Sequence, residues 1–306
     1  MAEGVAFIEG QYVPSDEAKI SVFDLGFSRS DAVYDVVSTW KSLFFRLDDH
    51  IDRFLRSCAG VRIVCPYPKE EIKRILAECV HRAGLQDSYV EVLTARGRFE
   101  TLGSRDLRKT KPTFMAYAIP YVWIAPLEKQ REGLHMYIAQ TLRIPDVSVV
   151  ARFKNFHWAD LTQGQLEALD AGADVAVLCG VTGHLSEGPG FNVFFVKNGK
   201  IFTPGANVLE GITRKTVVEL AQEIGVEVEA GNYPADALRG ADEAFISSTA
   251  GGIMPVTKVD GKFLGNGKSG PMSWRLHELY WSKREAGWLG TAVRDLTAAI
   301  PATATP

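Results

Sequence analysis

The chain has 306 residues, of which 46% are hydrophobic and 23% charged, and its formal net charge is -3. That length supports a sizeable core and about two domains of ordinary size. The slightly acidic balance argues against nucleic acid or an anionic membrane surface as partner, and the longest apolar runs are far short of a membrane span.

The first residues, MAEGVAFIEGQYVPSDEA, lack the basic start and long apolar core of a secretory signal. Short alternating segments around Gly10 predict a hairpin. Val33 to Trp40 alternates as a strand does, with Tyr34, Val36, Ser38 and Trp40 on one face. Lys41-Ser42 then reads as a turn, Leu43 to Leu47 as a second strand, and Asp48 as the start of a helix with Ile51, Phe54 and Leu55 on its apolar stripe. Arg53 lies on that helix, where a surface ion pair is the ordinary role. YPKEEIKRILAECVHRAG has the spacing of an amphipathic helix. SYVEVLTARGR and KPTFMAYAIPYVW read as strands flanking a polar loop.

Pro120 to Glu132 reads as a linker. The expected division is therefore a small α+β domain over residues 1–119, a linker over 120–132, and a larger domain over 133–306 that ends in a disordered tail, TAAIPATATP. In the larger part, GLHMYIAQTLRIP predicts a strand, LTQGQLEALDAG a helix ending at Gly172, and ADVAVLCG another strand. A turn is expected at Asn198-Gly199, a helix from near Thr213, a strand into a small-residue turn at SSTAGG, and a last helix in PMSWRLHELYWSKREAGW. Cys58, Cys65, Cys79 and Cys179 have no CxxC spacing. They read as free thiols of a reducing cytoplasm, with no metal site.

Four stretches could carry chemistry. In ARFKNFHWADL, Lys154 sits among Phe153, Phe156, Trp158 and Leu161; it is either a snorkelling side chain or an amine held for reaction. In LSEGPGFNVFFV, Glu187 leads into a near-continuous apolar strand. It is either an exposed turn acid or a buried carboxylate that needs a partner. In LEGITRK, Gly211 precedes a helix start whose free N–H groups and Thr213 hydroxyl would suit a phosphate. In ISSTAGGIMP, Ser248, Thr249 and the small residues after them permit close backbone approach to a ligand. A plain helix start and a plain tight turn are the ordinary readings of the last two. Together, an amine, a carboxylate and two phosphate cradles are what pyridoxal 5'-phosphate requires.

The order KNFHWADL, LSEGPGFN, LEGITRK, SSTAGGIMP resembles the fold-type IV pyridoxal-phosphate enzymes, which include branched-chain and D-amino acid aminotransferases, (R)-selective amine transaminases and aminodeoxychorismate lyases. The resemblance runs from about Gly4 to about Trp281. YDVVSTWKSLFFRLDDHIDRF, PYVW and KNFHWADL look most like the (R)-selective amine transaminases. It implies a mixed α+β and α/β two-domain fold with the cofactor between the domains, a homodimer, and a ping-pong transamination between an amine and a keto acid such as pyruvate. It also implies roles. Lys154 forms the Schiff base and carries the proton. Glu187 pairs with the ring nitrogen. Arg53, Ile212, Thr213, Ser248 and Thr249 serve the phosphate. Leu209 packs on the ring, and Asn192 supports Glu187 or the ring hydroxyl. Tyr34, Val36, Trp158 and Ala250 shape the substrate pocket. A substrate carboxylate calls for arginine: gap-free placement puts Leu102 where relatives are expected to carry one, so Arg98, Arg105 or Arg29 would have to serve. A branched-chain L-amino acid aminotransferase, a lyase of the aminodeoxychorismate type and a protein that binds the cofactor without turnover are the competing readings.

Overall fold

The computed structural model describes residues 4–101 and 103–297, so Leu102 and the end of the expected tail lie outside the described residues. The chain divides into two compact units. Among the described residues, the first comprises 4–101, 103–122, 153–156 and 284–297, and the second 123–152 and 157–283.

The first unit begins with the hairpin β1 (Val5–Ile8) and β2 (Gln11–Pro14). A short helix, α1 (Leu25–Arg29), starts at Asp24, whose carboxylate accepts from the Gly26 N–H at 2.7 Å. Next come β3 (Ala32–Trp40) and β4 (Leu43–Phe45), joined by Lys41 and Ser42, both at positive φ. The expected second strand ends two residues early because Arg46 takes a left-handed conformation, φ 53°, and helix α2 (Leu47–Gly60) follows at once. Helix α3 (Lys69–Ala83) ends on left-handed Gly84, and β5 (Ser88–Phe99) pairs with β6 (Thr110–Pro120). Both faces of β3 are buried. Val33 and Val37 join Ile51, Phe54, Ile72, Leu76, Val90 and Val92 in one core under α2 and α3, whereas Tyr34, Val36 and Ser38 point to the opposite face.

The second unit starts with α4 (Leu127–Glu132), which lies inside the stretch read as linker, and β7 (Leu134–Leu142). Helix α5 (Ala159–Asp170) and β8 (Val175–Cys179) follow, β8 running parallel to β7. The two-residue strand β9 (Glu187–Gly188) turns back onto β10 (Phe191–Lys197), and Asn198 and Gly199, both at positive φ, lead into β11 (Lys200–Pro204). Helix α6 (Ile212–Glu223), β12 (Val228–Gly231) and α7 (Ala235–Arg239) precede β13 (Glu243–Ser248), β14 (Gly252–Val259) and β15 (Lys262–Phe263). These strands form a nine-stranded mixed sheet around Met136, Val177, Val193, Ile246 and Met254.

Helix α8 (Pro271–Glu285) buries Leu276 and Tyr280. From Arg284 the chain belongs to the first unit, where β16 (Gly290–Ala292) pairs with β4 to complete a seven-stranded sheet, and α9 (Val293–Thr297) packs on α3. Among the described residues, no helix is long and apolar enough to cross a membrane.

Candidate active site

Lys154 belongs to the first unit through a clamp on four residues, 153–156. Its N–H donates to Ser57 Oγ of α2 at 3.1 Å, and its carbonyl accepts from the Tyr34 N–H of β3 at 3.1 Å. Asn155 bridges to Val33. Phe153 lies against Gly60, where an added Cβ would come within 2.3 Å of its ring, so the helix needs a glycine there. Phe156 stacks on Tyr34 with centroids 4.5 Å apart, and Lys154 Nζ stands 3.8 Å from the centroid of the Tyr34 ring. The amine therefore rests on an aromatic face and is half-buried.

The same sheet face carries an acid that no motif flagged. Strand register sets Glu91 opposite Val36 on one side and Tyr117 on the other. Glu91 is buried, and its Oε2 accepts from Tyr117 at 2.9 Å and Tyr89 at 3.3 Å. Burial raises its carboxyl above the ordinary range, against the opposing pull of the Tyr117 hydrogen bond and the Lys154 charge.

Arg53 is not on the surface, as its helix position suggested; it is 4% exposed. Its Nε and Nη2 donate to the two oxygens of Asp35 at 2.7 and 2.8 Å. The three expected carboxylate-binding arginines differ from it. Arg29, Arg98 and Arg105 are exposed, and Arg98 lies 3.8 Å from Glu9.

In the second unit, Glu187 is buried rather than an exposed turn residue. Its Oε1 accepts from Arg143 Nη2 at 3.2 Å, and its Oε2 accepts from the Leu209 N–H at 2.8 Å. Arg143, also buried, donates through Nη1 to Asp160 Oδ2 at 2.7 Å. Asn192 sits on the neighbouring strand, paired with Glu187 in register, and donates to the Leu209 carbonyl at 2.9 Å. Helix α6 starts at Gly211 without a side-chain cap, and Ile212 and Thr213 are buried in its first turn. A Cβ on Gly211 would meet Asn192 Oδ1 at 2.1 Å. Ser248 donates to the Gly190 carbonyl at 2.8 Å, Thr249 is half-buried, and the Ala250 carbonyl accepts from Ile124. Trp158, half-buried, approaches Gly190. Ser247 Oγ is buried with no partner, a polar atom that a ligand could satisfy.

Each unit carries groups that suit pyridoxal phosphate: the first a lysine amine on an aromatic face and a buried arginine fork, the second a buried carboxylate bonded to a guanidinium and an uncapped helix start. Among the described residues, no cluster of His, Cys, Asp or Glu could hold a metal.

The family described as amino-transferase class IV matches residues 32–259. A putative branched-chain-amino-acid aminotransferase of Methanocaldococcus jannaschii is 33% identical over 276 residues, covering 90% of this chain and 94% of that one. A D-alanine aminotransferase of Staphylococcus haemolyticus is 27% identical, covering 89% and 95%. Among solved structures, a T.th. branched-chain amino acid aminotransferase complexed with N-(5'-phosphopyridoxyl)-L-glutamate superposes with a TM-score of 0.87 at 30% identity, covering 95% of this chain and 98% of that one. With its lysine, its buried acid and its family match over most of its length, the chain belongs to the class IV aminotransferases, enzymes of the fold-type IV group that depend on pyridoxal phosphate.

Proposed function

We propose that the protein moves the amino group of an (R)-configured primary amine to a keto acid such as pyruvate, with D-amino acids as a second class of donor to be tested. The observation that carries this reading is the sheet face beside Lys154. It presents Tyr34, Phe156, Tyr89, Tyr117 and the acid Glu91, so a donor bearing a carboxylate there would meet an acid and rings rather than a guanidinium. The keto acid still needs a cation, and Arg98, Arg105 and Arg29 are the candidates, reached by movement of exposed segments.

When bound, pyridoxal phosphate supplies the carbonyl that condenses with the amine and the ring that takes up the electrons left behind by the departing α-proton. Lys154 Nζ would carry that proton between the substrate carbon and the bound group. Glu187 would face the ring nitrogen, with the Arg143 guanidinium donating to its Oε1 at 3.2 Å. Arg53, Ile212, Thr213, Ser248 and Thr249 would hold the phosphate and Leu209 would pack against the ring, while Asn192 fixes Leu209 through its carbonyl. Tyr34, Val36, Trp158 and Ala250 bound the substrate.

Homodimer formation completes the proposal. Val22, Phe23 and Phe27 are 69%, 67% and 67% exposed within a few residues of one another, more apolar surface than a short segment ordinarily leaves to water.

The test is the half-reaction. The cofactor-loaded enzyme is mixed separately with (R)-α-methylbenzylamine, D-alanine and L-leucine without acceptor, and the absorbance of the lysine-bound cofactor is followed. Bleaching by the (R)-amine is expected. Bleaching by L-leucine alone refutes the substrate reading in favour of the branched-chain activity that several relatives' names carry. Pyruvate released with no second acceptor would indicate a lyase.

A further inference from the structure

Arg53 belongs to a buried ionic cluster of the first unit whose other two members, Asp35 and His50, have no part in the chemistry above. Asp35 interrupts the apolar stripe Val33, Val37 on the helix-facing side of β3 and is 1% exposed. His50 and Arg53, 2% and 4% exposed, reach it from one face of α2. Asp35 Oδ1 accepts three bonds, from Val36 N, His50 Nδ1 and Arg53 Nη2, each at 2.8 Å. Oδ2 accepts from Arg53 Nε at 2.7 Å. The charged groups acting on His50 are Asp35 and Arg53 within the cluster and Asp49 beside it on α2. Burial, the largest influence, pushes the imidazole below its ordinary value, so the neutral ring donates through Nδ1–H.

Burying such a cluster where valine and leucine would pack is a poor route to stability. What it does provide is direction. Four hydrogen bonds, three on Oδ1 and one on Oδ2, hold the Asp35 carboxylate against rotation. A bidentate carboxylate also fixes the plane of a guanidinium and the path of its other N–H groups. We infer that Asp35 and His50 are positioning residues that hold the Arg53 fork in one plane for a phosphate monoester, so that the anion meets an arginine already ordered. The inference rests on the proposed role of Arg53. Ordering a free arginine side chain costs enough to weaken a ligand by about tenfold.

The experiment compares equilibrium binding of pyridoxal phosphate and of pyridoxal, which lacks the phosphate, to the cofactor-free full chain, read by absorbance and fluorescence rather than turnover. Asp35→Asn is expected to weaken pyridoxal phosphate about tenfold while pyridoxal changes by less than about twofold. His50→Gln is expected to shift the same preference in the same direction by less, and it keeps the test available if Asp35→Asn does not fold by circular dichroism. Asp35→Glu is expected to restore part of the preference. Parallel loss of both ligands would mean a merely structural role and overturns the inference. So does an unchanged preference in Asp35→Asn and His50→Gln while Arg53→Gln loses it. An unchanged preference in Arg53→Gln itself would instead remove the phosphate role of Arg53 and, with it, the inference.

Discussion

Replacing Arg143 by methionine removes the guanidinium that faces both Asp160 and Glu187 while keeping much of its bulk. Arg143 spans the two acids through bonds of 2.7 and 3.2 Å and is 6% exposed, so the acids it leaves behind are buried as well. Removing one partner from a buried ion pair costs about 3–5 kcal/mol, and here two carboxylates lose their cation together, which points to the upper end. Part of the loss is cushioned: Asp160 keeps the N–H groups of Ile144 and Leu161, and Glu187 keeps that of Leu209. About 4 kcal/mol lowers the Tm by roughly 8–16 °C for units of this size. The assay is thermal unfolding of the cofactor-free protein, so that ligand linkage does not enter. Adding Asp160→Asn and Glu187→Gln to Arg143→Met is expected to recover most of the loss, because no buried charge is then left unpaired. A Tm for Arg143→Met within a few degrees of the parent would refute the reasoning, because Arg143 would then not be the counter-charge that Asp160 and Glu187 share.

Glu91→Gln is expected to gain stability over the parent as pH rises from about 4 to about 8. The raised carboxyl stabilises the fold only while protonated, so the parent loses ground as pH climbs through the folded value; a pH-independent Tm difference would contradict this. Acid should act oppositely on the strand–helix cluster. Burial alone would raise Asp35, but the Arg53 charge and the hydrogen bonds from His50 and Arg53 outweigh it and hold the carboxyl well below its usual range, while burial depresses His50. Both groups have lowered folded values, so their stabilisation is fully present above about pH 6.5 and falls away on acidification, the His50 part below about pH 6.5 and the Asp35 part below about pH 4; chemical denaturation across that range checks it, and Asp35→Asn should flatten the more acid limb. Gly97→Ala is expected to cost at least about 1–3 kcal/mol in urea unfolding, because φ is +78° and a Cβ would lie 1.8 Å from the Lys111 carbonyl at the bulge between Ala95 and Arg98; a cost under about 0.5 kcal/mol would contradict it. Gly211→Ala should displace Asn192 from the Leu209 carbonyl and weaken cofactor binding, as measured by equilibrium titration.

Local pattern carried much of the fold. The Val33–Trp40 alternation, the Lys41-Ser42 turn, the Lys69–Ala83 helix and the Asn198-Gly199 turn each rest on neighbours a few residues apart, where periodicity and turn chemistry act directly. What escaped depends on distant partners. Arg143 looks like any charge at a strand end until Asp160, 17 residues on, and Glu187, 44 residues on, are brought to it. Arg53 read as a surface cation because Asp35 lies 18 residues away on another element. Asp35 and Glu91 did leave a trace, each being the single acid of its strand with valine on either side or close by (VYDVV and YVEVL), which calls for a partner. Gly290–Ala292 is too short to show a period, yet it closes the first sheet against β4.

The central claim is that Lys154 is the cofactor's anchor. The direct measurement is borohydride reduction of the purified yellow protein followed by peptide mapping by mass spectrometry. A phosphopyridoxyl label on the peptide carrying Lys154, absent after Lys154→Ala, is the predicted result. A stoichiometric label on another lysine, or an unlabelled protein that has bound the cofactor, would contradict the account.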